Sequence, residues 1–175
     1  MKKITLFLSF IACVAFTQAQ TLLVEDFDYN ANSVLLNQGN WKVTGSNSAA
    51  PFINVTASSI TYSGYSGSGI GNEVTLTNGE DLYKNFTAQT TGVIYTSFLV
   101  NVTAAPTNGD YFIHYGPTDM AANAYIGRTF VKASGEGKIV FGLMQASSGT
   151  ATYLETVYDL NTTYLIVLKH ELAEK

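Results

Sequence analysis

A single cysteine, Cys13, stands in the 175 residues, and only 13% of them are charged. One cysteine rules out a disulfide framework or a thiolate metal cluster within the chain. Nine lysines and arginines are scattered against thirteen acidic residues, for a net charge of −4. Such a surface repels phosphate backbones and anionic headgroups, which argues against nucleic acid and membrane as partners. Two histidines, His114 and His170, and one tryptophan, Trp41, leave few groups for acid–base or metal chemistry. Beyond the first twenty residues no window sustains a helical period, and no long internal repeat occurs.

The chain opens with "MKKITLFLSFIACVAFTQAQ": two lysines, an apolar run from Ile4 to Phe16, and the small residues Thr17 and Ala19 around a cleavage point. This is the three-part layout of a secretory signal peptide, too short to span a bilayer as an anchor. A signal peptide is expected over residues 1–19 and one domain over residues 20–175. Lipidation at Cys13 is the alternative, but Val14, Ala15 and Phe16 prolong the apolar run where a lipidated cysteine opens a polar tether. Loss of Lys2 and Lys3 leaves seven basic against thirteen acidic residues, a net charge of −6.

Abundant Thr, Tyr, Val, Ile, Phe and Gly make the composition that of an all-β protein, because branched and aromatic side chains pack well on a pleated sheet. Two-residue alternation is plain in "EVTLT", with Val74 and Leu76 on one face. "DYFIHYG" places Tyr111, Ile113 and Tyr115 together, opposite Phe112 and His114. In "GVIYTSFLVNVTAA" the residues Ile94, Phe98, Val100 and Val102 share a face. "GKIVFGLMQAS" and "TTYLIVLKH" are apolar on both sides, as strands covered on both faces are. Between the runs lie "TNGED", "PTNGD", "SGEGK" and "SSGT", rich in residues that turn the chain. The pattern predicts an antiparallel two-sheet sandwich. "YSGYSGSGIGN", residues 62–72, lies between two alternating segments and is too aromatic for a flexible tether, so it reads as an ordered surface loop.

Two stretches of that loop approach known catalytic or binding motifs. "GSGIG" has the glycine density of a dinucleotide turn, but a strand-like segment follows where a helix is required. "GYSGS" approaches a nucleophile elbow and has Ser68 where the last glycine belongs. No Glu-x-Asp-x-x-Glu spacing, which would align a glycosidase acid and nucleophile on one strand, occurs anywhere. In "VEDFDY", Glu25 is alone on one face while Asp26 and Asp28 share the other. They read either as the charged side of a protected edge strand or, with loop carbonyls, as a Ca²⁺ site. Trp41, Tyr62, Tyr65 and Tyr83 are candidates for stacking on sugar rings, Tyr62 and Tyr65 foremost because of their loop setting, with Asn72 to fix orientation. Four Asn-x-Thr sequons, at Asn54, Asn85, Asn101 and Asn161, read as ordinary strand threonines in a chain whose leader looks bacterial.

The order "LLVEDFDY", "GSGIGNEVTLTNGEDLYKNF", "GVIYTSFLVNV", "GDYFIHYGP", "GRTFVKASGEGKIVFGL" and "NTTYLIVLK" resembles secreted Bacteroidetes modules. These are similar to laminin-G and concanavalin A-like jelly rolls and accompany type IX-secreted multidomain proteins. The resemblance spans nearly the whole mature chain and implies a jelly-roll sandwich at an exported or surface location, with no catalytic residues to carry over. Gly67, Gly69, Gly71, Asn72, Gly109, Asp110, Arg128 and Phe130 match it as fold-defining positions. Relatives of this type continue past the strand corresponding to "NTTYLIVLK" into further strands, so the chain is expected to be a fragment of a longer protein. The expected function is that of a noncatalytic secreted or cell-surface module that binds an extracellular glycan, adheres, or spaces neighbouring domains of the same protein. A polysaccharide-degrading glycoside hydrolase is the alternative, with Glu80, Asp81, Glu155 and Asp159 as its carboxylates.

Overall fold

The computed structural model describes residues 19–45, 49–117, 120 and 125–172. The signal peptide expected over residues 1–19, with Cys13 in it, lies outside them save for Ala19. The described residues are all-β: they contain no helix, and eleven strands pair antiparallel in several sheets.

The strands in chain order are β1 (Lys42–Val43), β2 (Asn54–Thr56), β3 (Glu73–Thr75), β4 (Leu82–Tyr83), β5 (Gly92–Asn101), β6 (Asp110–Tyr115), β7 (Ile126–Ala133), β8 (Lys138–Met144), β9 (Thr152–Tyr153), β10 (Tyr158–Asp159) and β11 (Thr163–Leu172). The largest sheet runs β6, β7, β8, with β10 and β9 both paired to the far edge of β8. A long ribbon joins β5 to β11 over ten residue pairs, from Thr163 opposite Asn101 to Leu172 opposite Gly92. Two short pairs, β1 with β4 and β2 with β3, complete the set.

Alternation explains how the ribbon and the large sheet meet. Val100 and Val102 of the β5 segment and Tyr164 and Ile166 of β11 pack against Val131 of β7 and Ile139 and Phe141 of β8. Phe141 is at the centre, with ring centroids of Tyr158 at 5.3 Å, Tyr164 at 6.0 Å and Phe112 at 6.4 Å. Ile139, Val140, Phe141 and Gly142 of β8 are buried on both faces, as the unbroken apolar run "IVFG" implies. The same expectation fails for β11, where Val167 is 58% exposed. Among the described residues, the outer side of that two-stranded ribbon meets Tyr65 of the glycine loop, in a contact described below.

A second core gathers Leu35, Ile53 and Val55 with Phe27, Tyr29, Trp41, Val74 and Leu82. Here "VEDFDY" keeps the expected alternation, with Glu25, Phe27 and Tyr29 half-buried and Asp26 and Asp28 exposed. It forms no ladder, however, and Phe27 takes φ 53°, so the segment is not the edge strand expected from its pattern. Its anchor is Glu25. One carboxylate oxygen accepts from Phe27 N at 2.8 Å; the other accepts from Tyr29 Oη at 2.9 Å and Trp41 Nε1 at 3.0 Å and pairs with Lys84 Nζ.

The glycine stretch is fastened to this segment. Asn72 N donates to Asp26 O at 3.0 Å, and Asn72 Nδ2 donates to Tyr29 O at 2.9 Å. Gly71 has φ 65°, and a Cβ there would sit 2.0 Å from Asp26 O, so glycine is demanded twice over, by dihedral and by space.

Candidate functional site

The side of the large sheet turned away from the ribbon bears an unusual concentration of rings and cations. Register places Tyr111 of β6 opposite Phe130 of β7, Arg128 of β7 opposite Met144 of β8, and Gly142 of β8 opposite Tyr153 of β9. Successive ring centroids are 6.5 Å from Tyr153 to Phe130, 6.0 Å from Phe130 to Tyr111, 5.8 Å from Tyr111 to Tyr125 and 4.2 Å from Tyr125 to His114. The rings come from three segments, β6, the stretch from Tyr125 into β7, and β9, and form one continuous row.

His114 joins that row because β6 is irregular. Plain alternation groups Tyr111 with Tyr115 and Phe112 with His114, yet the register of β6 against β7 slips between Tyr111 and Ile113 and again before Tyr115. Such irregularities re-aim side chains. Phe112 and Tyr115 therefore face the ribbon, Phe112 against Phe98 at 6.1 Å and Tyr115 bonded to Thr96. His114 instead turns to Tyr111, 5.8 Å away.

Two cations lie on the row. The Arg128 guanidinium carbon is 5.6 Å from the Tyr111 centroid and 5.7 Å from that of Phe130, and Lys132 Nζ is 4.2 Å from that of Tyr153, all within cation–π reach. Arg128 Nη2 donates to Ser147 O at 2.7 Å and to Met144 Sδ at 2.8 Å, while Nε is buried with no hydrogen-bond partner among the described residues. Neither Arg128 nor Lys132 forms an ion pair with a described carboxylate. Glycine makes room for the row: a Cβ at Gly109 would lie 2.0 Å from Tyr153 Oη, and one at Gly142 would lie 2.6 Å from Tyr153 Cδ1.

The electrostatics follow from burial. Burial pushes the Tyr111 hydroxyl up to about 12, with Asp81, Tyr125 and Asp110 adding to it and Arg128 opposing. Burial also lowers the pKa of His114, against the bond from Nδ1 to Tyr115 O at 3.1 Å and the attraction of Asp81. His114 is thus held as a neutral ring at physiological pH, a stacking surface rather than a charge.

The residues singled out from the sequence occupy other places. Tyr62 is 40% exposed at the foot of the glycine loop. Tyr65 is half-buried, with its hydroxyl 3.0 Å from Ser97 Oγ on the outer side of β5. Asn72 spends its carboxamide on Tyr29 O, and Trp41 its indole N–H on Glu25. Asp26 Oδ1 accepts from Asp28 N at 3.3 Å, and both carboxylates are exposed. Among the described residues no three His, Cys, Asp or Glu side chains converge as a metal site.

The four carboxylates of the hydrolase alternative have separate duties. Glu80, 4% exposed, accepts from Ile53 N at 2.9 Å; Asp159 pairs with Lys138; Glu155 is exposed; and Asp81 acts on the Tyr111–His114–Tyr125 end of the row. No helix of the described residues is long and apolar enough to cross a membrane.

Compared with protein-family models, curated proteins and solved structures, the chain matches none.

Proposed function

We propose that the chain is a noncatalytic β-jelly-roll module, exported or held at the cell surface, that binds glycan on the outer side of β6–β7–β8–β9. The observation that supports this reading most is the row of rings bearing Arg128 and Lys132. Phe130 is buried, so the partly exposed Tyr111, Tyr125 and Tyr153 supply the faces that accept the apolar side of a pyranose, and two cations free of carboxylate partners among the described residues donate to hydroxyl or carboxylate oxygens at its rim. Ring contacts hold the platform rigid before a ligand arrives, which lowers the ordering cost of binding. The leader-like first residues and the acidic balance support an extracellular setting, and the two-layer packing of ribbon and large sheet supports the jelly-roll architecture.

Affinity electrophoresis through gels containing a neutral β-glucan, a xylan or a uronate polysaccharide tests this reading. At least one polysaccharide is expected to retard the protein. Arg128→Gln and Tyr153→Ala are each expected to weaken that retardation about tenfold, the loss of one charge-assisted hydrogen bond or one stacked ring. Circular dichroism confirms that the variants remain folded. Retardation identical in both variants would remove this face from the account.

A further inference from the structure

We infer that the free edge of β11 is a self-complementary surface that pairs two copies of the chain. Among the described residues β11 has a ladder partner on one side only, β5. On its other side runs a groove of about 670 Å³, lined by residues 167–171 of β11 and, from the large sheet, by Tyr115 of β6, Gly127 of β7, residues 143–145 of β8 and its end, and Thr152 of β9, with no residue of β5. Side chains of a strand alternate between faces, so a groove touched by five consecutive residues meets the strand's backbone edge and not one of its faces. Unpaired N–H and C=O groups on such an edge are a template for another strand.

The sequence at this edge identifies the occupant as a second copy. "LKHEL", residues 168–172, reads in opposite senses as leucine, charge, histidine, opposite charge, leucine. In an antiparallel pair related by a two-fold axis at His170, Lys169 faces Glu171 of the second copy and Glu171 faces its Lys169. On the other side of the strand Leu168 faces Leu172, and the two histidines meet at the axis. Every pair is matched, whereas shifting the register by one residue sets leucine or histidine against charge, and moving the axis to Lys169 or Glu171 sets like charges face to face. A two-fold interface requires this self-complementarity of one patch. Within one chain Lys169 and Glu171 already lie on the same exposed side and pair with each other, so both are presented outward for cross-strand exchange. The pairing would make β5–β11–β11–β5 one four-stranded sheet. A ladder this short gives a weak, concentration-dependent dimer.

Sedimentation velocity across a wide concentration range tests the inference on the whole chain. The wild type is expected to pass from monomer to dimer as concentration rises. K169E and E171K, which set like charges opposite each other twice, are each expected to weaken association by about tenfold or more. An equimolar mixture of the two variants restores opposite charges and is expected to recover the dimer, as is the double exchange K169E/E171K. Both positions are exposed, and circular dichroism verifies that the variants fold. A wild type that stays monomeric throughout, a dimer indifferent to either single substitution, or a mixture that fails to associate would each overturn the proposal.

Discussion

Replacing Glu25 by alanine is expected to cost about 3–5 kcal/mol, the loss seen when one partner of a buried pair is removed. The side chains of Glu25 and Lys84 are 12% and 16% exposed, so little water reaches the ammonium that would be left alone. The Trp41 indole, the Tyr29 hydroxyl and the Phe27 amide lose their acceptor at the same time. Burial alone would depress the Lys84 pKa, but its bonds to Glu25 and Tyr29 outweigh that effect and raise it. The pair's contribution is therefore complete below the ordinary lysine range and fades only as pH rises through the raised value. Urea unfolding at neutral pH measures the loss. A cycle with Lys84→Met adds a sharper expectation: Glu25→Ala/Lys84→Met should be more stable than Glu25→Ala alone, because no orphaned charge remains. A Glu25→Ala loss below about 1 kcal/mol would mean that the network holds nothing together.

Phe141→Ala is expected to have a comparable effect at the other core, about 3–5 kcal/mol. Phe141 is 4% exposed and touches rings from β6, β10 and β11, so its removal opens a cavity between the ribbon and the large sheet. Against a total stability of about 5–15 kcal/mol for a typical domain, that loss is a large fraction. Phe141→Leu retains apolar volume and should cost distinctly less. Near-UV circular dichroism and thermal unfolding report both variants; equal stability of Phe141→Ala and wild type would show that the two layers are not joined through this ring.

Periodicity carried the strands well wherever one face is buried and the ladder is regular. Ile94, Phe98, Val100 and, just past its end, Val102 were legible as the inner side of β5 for that reason, and residues 139–142 of β8 as covered on both sides. The short elements were less legible. "FINVTASSITY" supports only Asn54–Thr56 as strand, because the chain beyond it enters the glycine loop, where Tyr62 N donates to Ser68 Oγ at 2.6 Å and Gly69 N to Ile60 O at 3.1 Å. Alternation also could not reveal the register slips in β6, which exchange the partners of Tyr111 and Phe112.

The aromatic row was hidden for a different reason. Its members are spread from residue 111 to residue 153, and each reads locally as an ordinary strand aromatic; only the register of β6, β7, β8 and β9 brings them into contact. Asn72 and Tyr65 show the converse. A loop rich in glycine and tyrosine looks like a ligand contact in sequence, yet these side chains find partners within the chain, at Tyr29 and Ser97, 43 and 32 residues away. Glu25 carried a visible signal, a carboxylate alone on the apolar side of "VEDFDY", which marks a buried charge in need of partners.

The most direct measurement is amide and side-chain NMR mapping of the protein titrated with an oligosaccharide cut from the polysaccharide that retards it in the gel. The proposed site predicts shifts concentrated at Tyr111, Tyr125, Arg128, Lys132 and Tyr153, with the glycine loop unchanged. Shifts confined to Tyr62 and Tyr65, or none at saturating oligosaccharide, would contradict a glycan-binding face on β6–β7–β8–β9.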